Sequence, residues 1–253
     1  MRPFPPTVKL AGSDAAVTDV ELLNSYIGVN ATNAPRHYIA RIQGQPIAVG
    51  VFVDQTFDIG RIEDCHFNPW GPGLKGTVGQ FQLTHGRGFV IERSDWEYVF
   101  NTFAFGYAIG YHFTISVANF NPGIENSKGC NGNFVGIGAD NCRNASVQVD
   151  GSQPYGLLIT NGEFTAFCDP GLDGAALKPG GVCHGASPVH VLVGRDNAGS
   201  VRFVNSAFWG PARLVAEIRG SGTVGFSDCN FNSWDCKCAS DPRPACDSSG
   251  SIC

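Results

Sequence analysis

Charged and aromatic residues alternate in the segment RSDWEY, which begins at Arg93. Successive side chains of a β-strand point to opposite faces, so Arg93, Asp95 and Glu97 are predicted to share one face. Trp96 and Tyr98 fall on the other face. Three charges would be costly inside a core, so we expect the charged face to point outward, where its carboxylates could carry the acid–base steps of glycan hydrolysis. Arg93, Trp96 and Tyr98 are candidate substrate-binding residues. The alternative is a solvated strip in which Arg93 holds Asp95 in an ion pair.

A second acidic cluster lies in the run DQTFDIGRIED, which supplies Asp58 and Glu63 as further candidate acids or bases. Retaining glycosidases need two carboxyl groups about 5 Å apart, and inverting ones roughly 6.5–9.5 Å. Neighbouring strands of a parallel sheet lie about 4.8 Å apart, so carboxylates on neighbouring strands can meet either requirement. Arg61 in the same run and Trp70 just beyond it are candidate substrate-binding residues.

The elements that position these residues are predicted from a recurring turn, an Asn or Asp followed three residues later by an aromatic or aliphatic residue. Copies stand at Asn24, Asp64, Asn161, Asn205 and Asp228, with a looser one at Asn101 and only the Asn kept at Asn141. Their spacing is close to one or two multiples of about 20–22 residues, which is typical of a solenoid. Asn and Asp tolerate the left-handed backbone of a tight turn, so the predicted unit is strand, turn and strand. A β-sandwich with Asn-rich turns is the alternative.

Glu163 is the one carboxylate that follows the turn residue at its place in the repeat, in the copy NGEF. The other copies have His66, Ala207 and Asn230 there. We therefore include Glu163 among the candidate catalytic residues. A solvated Glu with no special role is the alternative.

Composition supports an all-β chain of one domain. The 253 residues include 33 Gly, and only 15% are charged. Gly or Pro interrupts nearly every candidate helix, and the segment SDAAVTDVELLNSYI is predicted to be strand. Short strands without alternating helices exclude a doubly wound or TIM-barrel fold. We expect residues 1–235 to form the solenoid and residues 236–253 a Cys-rich tail that caps or extends it.

The charge pattern narrows the expected partners. Net charge is −5 with a pI near 5.6, and the basic residues are scattered, so nothing indicates nucleic acid or an anionic membrane. The sequence contains no run of 18 apolar residues, so it predicts no membrane-spanning helix. Lysine is scarce, so no basic patch for a polyuronate is evident, and a neutral glycan is the favoured partner. We expect neither a cofactor nor a metal. Self-association or a larger parent assembly is compatible with exposed sheet ends.

Ten cysteines predict disulfides and an oxidising, extracellular location. Cys130 with Cys142, and Cys168 with Cys183, are plausible loop staples, although the sequence does not fix the pairing. A zinc site is the alternative for the tail, whose CxC spacing and lack of His are unlike a zinc knuckle. Sequons at Asn30 and Asn144 are compatible with a secreted glycoprotein.

Four runs resemble a group of right-handed parallel β-helix proteins: FVDQTFDIGRIEDCHFNPW, FVIERSDWEYVFNTFAFGYAIGYHF, GLLITNGEF and VRFVNSAFWGP…GTVGFSDCNFNSWD. That group is filed with the pectate-lyase superfamily, near the family 55 glycoside hydrolases, and the resemblance spans about residues 18–235. It implies a single-stranded right-handed parallel β-helix with coils of about 20–23 residues. Superfamily members include lyases, hydrolases, epimerases and adhesins, so fold alone does not fix a reaction.

Two functions follow from these residues. The first is a secreted glycoside hydrolase that acts on an extended polysaccharide through paired carboxylates; a polysaccharide lyase is less favoured. The second is a non-catalytic extracellular solenoid that binds glycan or serves in a wall, coat or fibre. The two differ in whether unpaired carboxylates converge in a groove with an aromatic floor. If the protein is a glycoside hydrolase, Glu97→Gln is expected to abolish activity with little change in melting temperature.

Overall fold

Parallel β-strands in stacked sheets make up most of the protein. The computed structural model describes residues 4–70, 73–117, 129–166, 188–210, 212 and 214–232. Every pairing between its strands is parallel, in keeping with the all-β class predicted from the sequence, and the arrangement is compatible with a β-helix-like solenoid. The Cys-rich tail lies outside the described residues.

The first sheet contains eight strands. In pairing order they are β1 (Pro6–Lys9), β3 (Ile27–Thr32), β5 (Val49–Asp54), β8 (Arg87–Ile91), β11 (Ile109–Phe113), β14 (Ala145–Val149), β17 (Val189–Val193) and β20 (Leu214–Ile218). The order follows the sequence, so the chain returns to this sheet once in each circuit. We call each circuit a rung.

The second sheet consists of two series of strands that meet at β4. One series is β2 (Ala16–Leu23), β4 (Tyr38–Gln45), β6 (Arg61–Glu63), β9 (Ser94–Phe100), β12 (Cys130–Val135), β15 (Ser152–Thr160), β18 (Val201–Val204) and β21 (Val224–Ser227). The other continues from β4 through β7 (His66–Phe67), β10 (Phe103–Phe105), β13 (Gly138–Asp140), β16 (Glu163–Phe164), β19 (Ala207–Phe208) and β22 (Asn230–Phe231). The N-terminal half of β4 pairs with β6 and its C-terminal half with β7.

Inward side chains stack in rows across the rungs. The row from the first series is aliphatic at one end and aromatic at the other, and its members are register neighbours: Val17, Ile39, Ile62, Val99, Phe134, Ile159, Phe203 and Phe226. Ring contacts such as Phe203 on Phe226, stacked with centroids 5.1 Å apart, tie rungs together. Burying such rows is the main favourable term in folding. The aromatic residues that follow the turns stack as well, Phe164 on Phe208 with centroids 5.4 Å apart and Phe208 on Phe231 with centroids 5.3 Å apart.

A ladder of left-handed residues joins the two series of the second sheet, one residue on each rung. Its members have φ between 47° and 62° and are Asp19, Arg41, Asp64, Asn101, Gly136, Asn161, Asn205 and Asp228. Side chains bond along it: Asn101 Nδ2 donates to Asp64 Oδ1 at 2.7 Å, and Asn205 Nδ2 to Asn161 Oδ1 at 2.8 Å. The predicted Asn/Asp turn is confirmed at five positions.

Two of the predicted turn residues lie elsewhere. Asn24 follows β2 and Asn141 follows β13, so both occupy other corners, although each has a left-handed backbone. The expected unit length holds for some rungs and fails at the longer ones. Asp64 and Asn101 are ladder neighbours although 37 residues separate them, so that step is one long rung and not two short ones. Asp19 and Arg41, separated by 22 residues, fit the expected length.

An insertion between β7 and β8 lengthens the rung that runs from Asp64 to Asn101. It contains α1 (Gly76–His85), a helix that the sequence did not predict. Its first residue is Gly and Lys75 makes no side-chain cap bond, so the usual start signal is missing. Gln82 on the helix is fully buried and accepts from Gln45 Nε2 at 2.8 Å, so tertiary contact supports the helix.

The described cysteines are free thiols. Cys130 and Cys142 are both buried and unpaired, so the predicted staple between them is wrong. Cys65 is buried beside the ladder, in keeping with a small core residue, and Cys229 occupies the equivalent position two residues before Phe231. Burial raises the pKa of Cys65 to about 12, which keeps the thiol protonated and unreactive. Cys168, Cys183 and the tail cysteines lie outside the described residues.

Candidate functional site

A cleft lies over β12, between two strands that carry extra residues. Ser94 pairs with Cys130, and Glu97 pairs with Gly132. Between these two pairs β9 advances three residues while β12 advances only two, so β9 contains one extra residue. On the other side, β15 uses five residues for the same step. Extra residues in a strand form a bulge and redirect its side chains. The bulges of β9 and β15 therefore form the two walls of the cleft, and β12 forms its floor.

The cleft has a volume of about 620 Å³, within the range of small-molecule sites. Its walls include two aromatic side chains, Trp96 at 59% exposed and Tyr155 at 81%. The lining residues are Asp58, Asp95, Trp96, Asn131, Gly132, Asn133, Gln153, Tyr155, Gly156 and Leu158. Three of the residues predicted from the sequence therefore meet here.

Trp96 has a left-handed backbone with φ of 56°. That conformation costs a residue with a Cβ about 1–2 kcal/mol. The Trp96 N–H donates to Asn131 Oδ1 at 2.8 Å, which helps to fix the bulge. The predicted alternation fails at this point, because Trp96 is exposed and the next residue, Glu97, turns inward. The prediction that Glu97 shares an outward face with Asp95 is wrong for that reason.

Glu97 belongs to a fully buried polar network. Its Oε1 lies 2.9 Å from His37 Nε2, and its Oε2 accepts from Ser94 Oγ at 2.5 Å. Ser94 in turn accepts from Thr56 Oγ1 at 2.9 Å, and His37 Nδ1 donates to the Ala34 carbonyl at 3.0 Å. Each polar atom of the carboxylate is satisfied, as burial requires. Glu97 is thus positioned to hold the bulge from beneath and not to touch a ligand.

Glu97 favours the charged form of the His37 side chain. Burial alone would lower its pKa, but the charge and hydrogen bond of Glu97 outweigh burial and raise the pKa above its ordinary value. Since His37 Nδ1 donates to a carbonyl, a protonated Nε2 also donates to Glu97. When His37 is protonated, the two side chains form a buried ion pair.

Asp95 is fixed by a polar relay across the cleft floor. Arg93 donates two hydrogen bonds to the Asp95 carboxylate, at 2.6 and 3.0 Å, and Gln153 Nε2 donates a third at 2.8 Å. Asn131 Nδ2 donates to Gln153 Oε1 at 2.6 Å. Burial raises the pKa of Asp95, but the bonds from Arg93 and Gln153 outweigh it and leave the pKa below its ordinary value. The ion pair between Arg93 and Asp95 is confirmed, with Arg93 buried.

Asp58 enters the cleft from the preceding rung. It has a left-handed backbone with φ of 71°, and its Oδ2 lies 3.1 Å from Arg36 Nη1. The hydrogen bond from Arg36 lowers the pKa of Asp58. Arg36 also pairs with Asp14 at 2.7 Å, so Asp14, Arg36 and Asp58 form one charge network across three rungs. Both cleft carboxylates are therefore ionised and paired with arginine.

Arg61, Glu63 and Tyr98 lie on the same outer surface without lining the cleft. Arg61 and Tyr98 are register neighbours on adjacent strands, and Arg61 is exposed. Glu63 accepts from the Tyr38 hydroxyl at 3.1 Å. These side chains extend the surface beside the cleft toward earlier rungs.

Trp70 and Glu163 lie away from the cleft, on the series that begins at β7. Trp70 is exposed and packs edge-on against His66, with ring centroids 4.7 Å apart. Glu163 is exposed and shares a shallow depression of about 270 Å³ with Asp228. The remaining lining residues of that depression are Asn161, Gly162, Asn205, Ser206, Ala207 and Asn230.

Sequence reasoning missed the cleft residues that lie on β12 and β15. Asn131, Asn133, Gln153 and Tyr155 show no repeat pattern, because the bulges that bring them together interrupt the pattern. The one available signal was the run QPYG, whose Pro and Gly interrupt a strand-like segment.

Glu92 was also missed. It is buried outside the cleft, and its Oε2 has no hydrogen-bond partner among the described residues. Burial, with a smaller contribution from Asp54, raises the pKa of Glu92 to about 7. A carboxyl with such a pKa exchanges protons near neutrality, but its burial keeps it from a ligand in the cleft.

The comparisons with known proteins yield no relatives. No protein-family model matches the chain, and neither the curated proteins nor the solved structures contain a match. In the ranges that the structure covers, no helix has the length and apolar character needed to cross a membrane. The geometry of the cleft is therefore the basis for a functional assignment.

Proposed function

We propose that the protein is a right-handed parallel β-helix whose cleft over β12 binds glycan without cleaving it. The observation that carries the proposal is the pair of exposed aromatic side chains, Trp96 and Tyr155, on opposite walls of a floor of amides. Aromatic faces pack on the apolar faces of sugar rings, while amides and carboxylates bond to hydroxyls. Backbone strain at Trp96 is also typical of functional sites.

Binding is favoured over hydrolysis by the state of the cleft carboxylates. A glycosidase needs one carboxylic acid that stays protonated near its working pH, beside a second carboxylate. Asp58 and Asp95 both have lowered pKa values, and each is paired with an arginine. They are suited to accept hydrogen bonds from hydroxyls and not to donate a proton to a leaving group.

An extracellular location suits this role, because surface and wall glycans are found there. The solenoid fold suits it as well, since stacked rungs hold the two walls at a fixed separation. Rigid walls reduce the ordering cost of binding.

Electrophoresis through gels that contain a neutral or an acidic polysaccharide tests the proposal. We expect at least one polysaccharide to retard the protein, with neither new reducing ends nor unsaturated products. Trp96→Ala should abolish the retardation, whereas Trp209→Ala, which removes an exposed tryptophan outside the cleft, should not. If the wild type produces reducing ends, the protein is a hydrolase and not a non-catalytic binder. If it produces unsaturated products, it is a lyase.

A second candidate function is hydrolysis in the depression that contains Glu163 and Asp228. The observation that favours it is that these two carboxylates line one surface without Lys or Arg among the described lining residues. Asp228 lies two rungs from Glu163 and two residues before its register neighbour Asn230, so the two-strand spacing of about 9.6 Å is the smallest separation of their backbones. Their side chains would have to turn toward each other to reach the separation of an inverting pair. Reducing ends that disappear in Glu163→Gln and persist in Trp96→Ala would support this candidate.

A further inference from the structure

Trp96 and Tyr155 line one cleft from strands on either side of β12. β9 pairs with β12, and β12 with β15, so the two walls are two strands apart. We propose that the cleft clamps one uncharged pyranose ring between Trp96 and Tyr155. The inference rests on the proposed glycan-binding function and adds the class and placement of the sugar.

The spacing of the walls fits one ring. Two strand spacings place the backbones of β9 and β15 about 9.6 Å apart. Contact between carbon atoms is optimal at about 3.5–4.0 Å, so a ring sandwiched between two aromatic faces needs roughly 7–8 Å between those faces. The indole and the phenol project from bulges on either side, which leaves room for one sugar ring and not for two.

The floor of the cleft offers a hydroxyl-binding pair. Asn133 is the register neighbour of Leu158, and its side-chain amide has no hydrogen bond to another described residue. An ionised carboxylate has about four acceptor sites. Asp95 uses three, two for Arg93 and one for Gln153. The remaining acceptor of Asp95 and the free amide of Asn133 match the hydroxyl groups of a sugar.

The charge of the cleft selects against acidic sugars. The described lining residues include Asp58 and Asp95 but neither Lys nor Arg. Arg36 and Arg93 neutralise these carboxylates from outside the lining and are already engaged. A uronate ring would therefore bring its own carboxylate into the cleft with no free Lys or Arg among the described lining residues to pair with it. An unpaired charge of this kind is one way in which a binding site rejects a near-identical ligand.

Calorimetric titration with single-ring ligands tests the clamp. The ligands are the methyl glycosides of glucose, galactose and mannose, each paired with its own uronide as the acidic counterpart: methyl glucuronide, galacturonide or mannuronide. We expect one neutral glycoside to bind, and its matching uronide to bind at least tenfold more weakly. Trp96→Ala and Tyr155→Ala should each weaken the neutral ligand at least tenfold, because both walls contact the same ring.

The controls separate the clamp from the broader function. Trp209→Ala should bind like the wild type, and circular dichroism should show that each variant folds. A Tyr155→Ala variant that binds the methyl glycoside normally, or equal binding of the uronide, would overturn the clamp. So would oligosaccharide binding without any single-ring binding, although glycan recognition would then survive. If no saccharide binds at all, both proposals fail.

Discussion

His37 Nε2 lies 2.9 Å from Glu97 Oε1, and both side chains are fully buried beneath the bulge that exposes Trp96. The contact joins residues 60 positions apart in the chain, on strands or corners of different rungs. It explains why the strand does not continue its alternation past Asp95. The same bulge turns the Glu97 side chain inward and the Trp96 side chain outward.

Removal of the Glu97 carboxylate should destabilise the fold. Glu97→Ala leaves His37 and Ser94 buried without their partner, and breaking a buried pair in this way costs about 3–5 kcal/mol. Urea denaturation should report that loss as a lower midpoint with little change in slope.

Glu63→Ala is the matched control, since Glu63 lies on the neighbouring strand with a single hydrogen bond from Tyr38. It should cost about 1 kcal/mol. Equal effects of the two substitutions would contradict the buried network as the support of the bulge.

The His37–Glu97 pair should also make stability depend on pH. The pKa of His37 is raised in the folded protein, so the pair contributes fully below the unfolded pKa of about 6.5. Its contribution is lost as pH rises through the folded value. We expect the free energy of unfolding to fall on the alkaline side of pH 6.5.

Glu97→Gln isolates this effect. A Gln amide can donate to His37 Nε2 and accept from Ser94, so the hydrogen bonds persist while the ion pair is gone. The variant should fold, with a flatter stability profile above pH 6.5 than the wild type. An unchanged profile would mean that another group produces the pH dependence.

The left-handed ladder can be completed at Gly136. This glycine has φ of 62° and lies between Asn101 and Asn161 in register, where neighbouring rungs use Asn. Asn tolerates the left-handed region and a glycine replaced by a compatible residue gains about 0.4–1 kcal/mol. Gly136→Asn should therefore be neutral or stabilising in thermal unfolding, whereas Gly136→Val should be clearly destabilising. A destabilised Asn variant would argue against the ladder.

Gly132 in the cleft floor should tolerate no side chain. A Cβ at this position would lie 2.0 Å from the carbonyl oxygen of Glu97 and 2.8 Å from its nitrogen, so β9 and β12 would have to separate. Overpacking of this kind costs about 3 kcal/mol. Gly132→Ala should lower the unfolding midpoint and abolish glycan binding together. Gly136→Ala, whose added Cβ meets nothing closer than 3.9 Å, should retain binding.

The recurring Asn and Asp residues were sufficient to predict parallel stacking of short strands, because a left-handed turn restricts residue type strongly. Asp64, Asn161 and Asp228 carried that signal. Gly136 and Arg41 occupy equivalent turns without the expected residue, so those rungs could not be counted from sequence.

The cleft was harder to predict than the rungs. Whether Trp96 or Glu97 faces outward depends on a register shift against Cys130 and Gly132, more than 30 residues later in the chain. Local alternation carries no information about such a shift. Asp95 and Trp96 were identified as candidates from their type, while Tyr155 enters the site only because β15 bulges beside them.

Glycan binding in the cleft over β12 is tested by titrating the ¹⁵N-labelled protein with a polysaccharide that retards it, observed through the indole N–H signals of its four tryptophans. Single Trp→Phe variants assign the signals. If the glycan binds in the cleft, the Trp96 signal shifts with ligand concentration while the signals of Trp70 and Trp209 stay in place. A shift confined to Trp70 or Trp209 would place the glycan elsewhere and contradict the cleft over β12 as the binding site.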